Sequence, residues 1–167
     1  KAAALIRERS RQIGASITRE QGKPLKEAIG EAIYCAMLLE FYAGECKRLY
    51  GRTLVRPDGQ RVEVRHEPVG PVAGFSAWNF PALNVMRKVG GPLAAGCSVI
   101  VKPSEETPAG GLAMVQALHD AGVPAGVFNL VNGDGAGVGV VAQVHPRRRD
   151  EPRSRPDHRR TAAPDRA

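Results

Sequence analysis

Three short stretches carry side chains able to do chemistry. The first is FSAWNFP, where Ser76, Ala77, the lone tryptophan Trp78 and Asn79 sit between Phe75 and Pro81. An asparagine carboxamide offers N–H donors without bringing a charge. Read by itself, Asn79 caps the helix that Pro81 opens, and Trp78 anchors a core. The second is VKPSEE, with Lys102, Ser104 and Glu105. Lys102 ends an apolar run, so its stem can pack while its ammonium stays available. By themselves Lys102 and Glu105 make a surface ion pair of small worth. The third is the glycine run NGDGAGVG, with Gly133, Gly135, Gly137 and Gly139. No frame in it gives G-x-G-x-x-G, so the ordinary dinucleotide fingerprint fails. A strand-to-helix turn whose amides face a phosphate remains open.

These stretches need elements to hold them. Ile6, Ile13 and Ile17 fall on one helical stripe over 2–19. QGKP breaks that pattern, and a second helix is predicted over 25–50. Along it Ile29, Ala32, Ile33, Ala36, Met37 and Phe41 recur at three- and four-residue steps, a stripe read as core. TLVRPDGQRVEVRHE has turn chemistry at Pro57-Asp58-Gly59 between alternating arms and predicts a β-hairpin. Such a ribbon pairs readily with another chain or element.

From PVAGF onward the pattern is strand, helix, strand, helix, strand, helix. The short apolar strands PVAGF, SVIVK and GVFNLV suit a buried parallel sheet, and the intervening helices are predicted over about 83–95 and 108–121 with Gly122 as a cap. The fold class is α/β, a partial Rossmann-like parallel sheet preceded by two helices and a hairpin. Four segments follow: helices over 1–50, the hairpin over 51–68, a partial nucleotide-binding α/β unit over 69–146, and a tail over 147–167. Right-handed crossovers put every strand's C-terminus on one edge, where such sheets bind ligands. All three chemical stretches fall there.

Composition narrows the classes. The chain has 167 residues, 43% hydrophobic, enough for a core. No apolar run reaches membrane-spanning length, and no secretory leader pattern is present. Cys35, Cys46 and Cys97 lack metal-ligand spacing and read as reduced thiols of a cytoplasmic protein. The net charge of +7 is uneven: residues 147–167 hold eight Arg against four acids, and 1–146 hold sixteen basic against thirteen acidic side chains. The tail has no side chain more apolar than Ala, so disorder is expected there. An Arg-rich tail can attract phosphates, but without aromatic interleaving it reads as solvated rather than as a nucleic-acid binder.

The segments EQGKPLKEA, RHEPVGPV, AWNFP, GPLAAGCSVIVKPSEETP and GVPAGVFNLVNGDG, in this order and spacing, resemble the NAD(P)-dependent aldehyde dehydrogenase family over 1–146. QGKP and the general style most resemble its succinate-semialdehyde and related semialdehyde dehydrogenases. Many relatives carry Pro where Ala77 stands, whereas betaine-aldehyde types carry Ala. The resemblance implies a thiolate attack on an aldehyde, hydride departure to nicotinamide and hydrolysis of the thioester. It makes Asn79 the donor to the oxyanion, Trp78 an aromatic wall, and Lys102 and Glu105 the grip on a ribose diol. It places Ser76, Ala77, Trp78, Ser104, Gly133, Gly135 and Gly139 along the cofactor. The Glu105 charge opposes a 2′-phosphate and favours NAD, with NADP also admitted.

In the family the nucleophilic Cys, the general-base Glu and the Phe-Thr-Gly-Ser segment come later than residue 146. None of Cys35, Cys46 and Cys97 has an activated setting, so no aldehyde oxidation is expected of this chain alone. Lys1 in place of Met suggests a missing natural start, and the switch to Arg, Pro and Asp after Pro146 suggests a frameshifted ending. A half-sheet is expected to leave an open edge and bare apolar faces. Two other functions fit: a nucleotide-binding or subunit-pairing module without catalysis, homo-oligomerising through the hairpin, and the basic-tail nucleic-acid binder.

Overall fold

The structure is a computed structural model that describes residues 1–138. The basic tail and Gly139 lie outside the described residues. The first predicted helix is two segments, α1 (Ala2–Glu8) and α2 (Ser10–Gln21), meeting at Arg9. The Arg9 N–H still reaches the Leu5 carbonyl and the Ile13 N–H the Arg9 carbonyl, so four-residue bonds span the junction. Helix α3 (Leu25–Glu45) follows and tightens into a 3₁₀ turn at Cys46–Arg48, five residues short of the predicted end. Strands β1 (Arg52–Val55) and β2 (Arg61–Val64) form the antiparallel hairpin, exposed along nearly its whole length.

Strands β3 (Val72–Phe75), β4 (Val99–Lys102) and β5 (Phe128–Leu130) form a parallel sheet in the order β3-β4-β5. Helices α4 (Pro81–Ala94) and α5 (Pro108–Asp120) are the crossovers. Each opens on proline at its first position, where the missing N–H has no intrahelical partner to lose. Alternation along β4 separates two faces. Val99 and Val101 are fully buried, with α4 packed on the strand, while Ile100 and Phe75 of β3 stay exposed. Among the described residues this outer face is uncovered at Ile100 and Phe75, in line with the half-sheet expectation.

The core lies on the other side. Val85, Met86 and Val89 of α4 and Met114, Ala117 and Leu118 of α5 join Ile6, Ile13 and Ile17 and the small residues Ala28, Ala32, Cys35 and Ala36 of α3. The α3 stripe divides here. Its small residues are buried, but Ile33, Met37 and Phe41 are exposed. Helical periodicity marks an apolar arc wider than the neighbours cover: α1, α2 and α4 all pack on α3, and together they bury its small residues but leave these three exposed. No helix among the described residues is long and apolar enough to cross a membrane.

Candidate functional site

Parallel pairing decides where the chemistry sits. Phe75 pairs with Lys102, and Ile100 with Asn129, so all three strands end on one rim. The rim is stitched by main chain: the Ser76 N–H donates to the Lys102 carbonyl (2.9 Å), and the Val131 N–H to the Val101 carbonyl (3.0 Å). Ser76, Ala77, Trp78 and Asn79 leave β3 there, Lys102, Ser104 and Glu105 leave β4, and Gly133 and Gly135 follow β5.

On the β3 side, Asn84 Nδ2 of α4 donates to Asn79 Oδ1 (2.9 Å). The carboxamide oxygen is thereby occupied. The Asn79 amide donors have no acceptor among the described residues and stand free at an exposed position. Ser76 Oγ is buried without a partner, a polar atom left to be satisfied from the rim. Trp78 is 57% exposed, so it does not anchor the core.

Around β4, the Lys102 side chain is only 6% exposed, its stem packed and its ammonium paired with Glu105. That ammonium, foremost, holds the Glu105 carboxyl below its usual range, with lesser help from main-chain N–H groups including that of Gly135. Ser104 Oγ accepts the Glu106 N–H (3.3 Å), a local turn bond ahead of α5.

Beyond β5, Gly133 adopts φ +152°, a backbone disfavoured for other residues, and an added Cβ would lie 2.8 Å from Val138. Asp134, for which the sequence offered no role, accepts the Gly137 N–H (2.5 Å) and caps the helical turn over 135–138.

Several residues at the rim escape sequence reasoning. Glu31 of α3 is buried, and its Oε1 accepts the Ala82 and Leu83 N–H groups (2.9 and 3.1 Å) at the start of α4. Its Oε2 lies 2.5 Å from Lys23 Nζ. Lys23 also donates to the Asn79 carbonyl (3.1 Å), and Gln21 Nε2 to the same carbonyl (2.7 Å). A signal was present: Glu31 is a carboxylate set between Ala28 and Cys35 on the buried edge of α3. Beside this cluster a cavity of about 340 Å³ is lined in part by Tyr34, Phe80, Leu83 and Arg87. Leu83 and Arg87 share one face of α4 at a step of four, and Phe80 is the residue that precedes the helix. Arg87 is exposed and makes no ion pair with the described residues.

Known proteins resemble this chain in sequence and in fold. Residues 1–149 match the model of the aldehyde dehydrogenase family. Glutarate-semialdehyde dehydrogenase of Pseudomonas putida is 44% identical over 137 residues, covering 81% of this chain and 28% of its own length. Mitochondrial succinate-semialdehyde dehydrogenase of Arabidopsis thaliana is 47% identical, covering 81% and 26%. The crystal structure of succinate-semialdehyde dehydrogenase from Burkholderia pseudomallei superposes with a TM-score of 0.80 at 46% identity, over 83% of this chain and 29% of that one. The chain spans somewhat more than a quarter of the length of these relatives. Sequence and fold agree, and the chain belongs to the aldehyde dehydrogenase family.

Proposed function

We propose that this chain supplies the ribose-binding and oxyanion side of an NAD(P)-dependent dehydrogenase acting on a semialdehyde. The observation that carries the reading is the Ser76–Lys102 main-chain bond, which sets the Asn79 loop beside the Lys102–Glu105 pair on one rim. Lys102 can donate to, and Glu105 accept from, the two hydroxyls of a vicinal diol, the pair parting around it. Ser76 Oγ, buried and unpartnered, is a further group for the ribose side to satisfy. The main chain at Ala77, Trp78, Ser104, Gly133 and Gly135 borders the same space. Bound nicotinamide would supply a hydride acceptor. The Glu105 charge supports NAD over NADP, although the Escherichia coli relative at 44% identity is named as NADP-dependent.

Asn79 acts on the aldehyde oxygen. Thiolate addition to the carbonyl carbon leaves a full negative charge on that oxygen, and donors fixed beforehand stabilise it most. With Oδ1 held by Asn84, the carboxamide can turn only its N–H groups to the charge. Removing one such donor raises a barrier by about 3 kcal/mol. Arg87 supports a substrate with a carboxylate at its far end, the chemistry shared by succinate and glutarate semialdehydes.

None of the three thiols fits the nucleophile. Cys35 is fully buried, and that burial, with the Glu31 charge, pushes its thiol up, opposite to activation. Cys97 is buried, and Cys46 spends its S–H on the Ala43 carbonyl (3.1 Å). Calorimetric titration with NAD⁺ and NADP⁺ tests the cofactor half: saturable binding abolished by Lys102→Met supports it, and silence toward both cofactors defeats it. The chain alone is expected to oxidise no aldehyde. Turnover lost on replacing one of its cysteines would overturn that part.

A second reading concerns assembly. The hairpin exposes Leu54, Val55 and Val62 along a ribbon with free edges, which supports pairing with another subunit. Sedimentation of the chain with and without residues 52–64 tests it.

A further inference from the structure

In the sequence the QGKP corner between α2 and α3 reads as a helix break and as part of a family-like segment, and the proposed chemistry leaves its polar side chains unused. Their contacts converge on one place. Gln21 Nε2 donates to the carbonyls of Trp78 (3.2 Å) and Asn79 (2.7 Å). Lys23 Nζ donates to the Asn79 carbonyl (3.1 Å) and sits 4.0 Å from the centre of the Phe80 ring. Its remaining partner is Glu31 (2.5 Å), whose other oxygen holds the Ala82 and Leu83 amides. Main-chain groups on both sides of Asn79 are thus gripped by one buried ion pair and one carboxamide. The Lys23 and Glu31 side chains are 10% and 2% exposed, so the ion pair and the bonds from Glu31 to the Ala82 and Leu83 amides are shielded from water, while the bonds to the Trp78 and Asn79 carbonyls lie at the surface.

We propose that Gln21, Lys23 and Glu31 are positioning residues for Asn79. They fix the main chain that carries it, while Asn84 fixes the rotation of its carboxamide. The assignment rests on Asn79 as oxyanion donor for its catalytic meaning, but not for its geometry. An ammonium donating to two acceptors and covering an aromatic ring locks a loop more firmly than apolar packing can. Losing one charge-assisted bond shifts a held-to-released ratio by about tenfold.

The test uses the whole chain and two reporters already in the loop. Trp78 is its sole tryptophan, and the Asn79 side-chain amide gives a nitrogen–proton signal assignable by its loss in Asn79→Asp. In Lys23→Met, circular dichroism is expected to match wild type. The fast component of the Trp78 anisotropy decay should rise about twofold, and the Asn79 amide signal should broaden or move. A folded Lys23→Met with both reporters unchanged overturns the proposal. Should Lys23→Met not fold, Gln21→Ala removes two loop bonds without stranding a charge and is read by the same criteria. Loop release with no loss of wild-type NAD⁺ or NADP⁺ binding supports the positioning role. Failure of the wild-type chain to bind either cofactor would defeat the proposed function and leave the loop result standing.

Discussion

Glu31 and Lys23 form a buried ion pair at 2.5 Å in which each partner also has a second task, Glu31 capping α4 and Lys23 holding the Asn79 carbonyl. A pair of this kind is costly to break from one side, because the surviving charge stays out of water. Glu31→Ala leaves the Lys23 ammonium uncompensated and two helix-start amides unbonded. It is expected to destabilise the fold by about 3–5 kcal/mol, read as a fall in the urea midpoint. Glu31→Gln keeps one oxygen for the amides and should lose less. Equal midpoints for wild type and Glu31→Ala would contradict the capping role.

Gly110 is where α5 touches the start of α4. A Cβ there would come within 2.9 Å of the Ala82 nitrogen and of Pro81 Cβ. Main chain cannot step aside as a flexible side chain can. Gly110→Ala is expected to cost about 1–3 kcal/mol and to shift the amide resonances of Ala82 and Leu83. Unshifted resonances at those positions would show that the helices separate freely.

The thiols should differ sharply. Cys46 is exposed, whereas Cys35 and Cys97 are buried. At neutral pH a disulfide reagent should titrate Cys46 within minutes, with Cys35 at least about a hundredfold slower until denaturant is added. Fast labelling of Cys35 in the native chain would mean that α3 does not stay docked.

Acid should loosen the helical layer. The Arg7 guanidinium bonds Glu40 at 2.5 and 2.7 Å, and Arg9 bonds Asp120 at 2.6 Å. These contacts, first among the causes, hold both carboxyls below their usual range. The unfolded chain therefore takes up protons first as pH falls. The stabilisation is complete above about pH 4–4.5, the ordinary carboxylate range, and drains away as pH drops through the lower folded values. Thermal melts from about pH 6 down to about pH 3 should show the decline at low salt, and Glu40→Gln with Asp120→Asn should flatten it.

Cofactor preference should follow one charge. Glu105→Gln keeps the side chain's size and removes its repulsion toward a 2′-phosphate. The ratio of NADP⁺ to NAD⁺ affinity is expected to rise by about tenfold or more. An unchanged ratio in calorimetry would locate the preference elsewhere.

Much of this architecture was legible in the residues. Short apolar strands bounded by glycine, prolines opening helices and Pro57-Asp58-Gly59 each encode structure locally, and the structure places elements there. Arrangement of the rim followed as well, because parallel strands must end together. What stayed hidden was tertiary. Glu31 looks like any helix carboxylate until α4 arrives to be capped. Gln21 and Lys23 look like a loop until their donors meet carbonyls 56 to 58 positions away. Arg87 looks like surface charge until Phe80 and Tyr34 shape a cavity beside it. The exposed half of the α3 stripe misleads for the opposite reason: periodicity reports which residues could be covered, not which neighbour comes.

The span of those bonds has a kinetic side. A segment shaped by partners more than fifty positions upstream cannot acquire its form from its own residues. Closing so long a loop is slow compared with forming any single helix. The Asn79 turn should therefore set late in folding, after α3 has found α4. In pulsed hydrogen exchange, the Ala82 and Leu83 amides should gain protection after those in the middle of α3, making maturation of the rim a report that the helical layer is already in place.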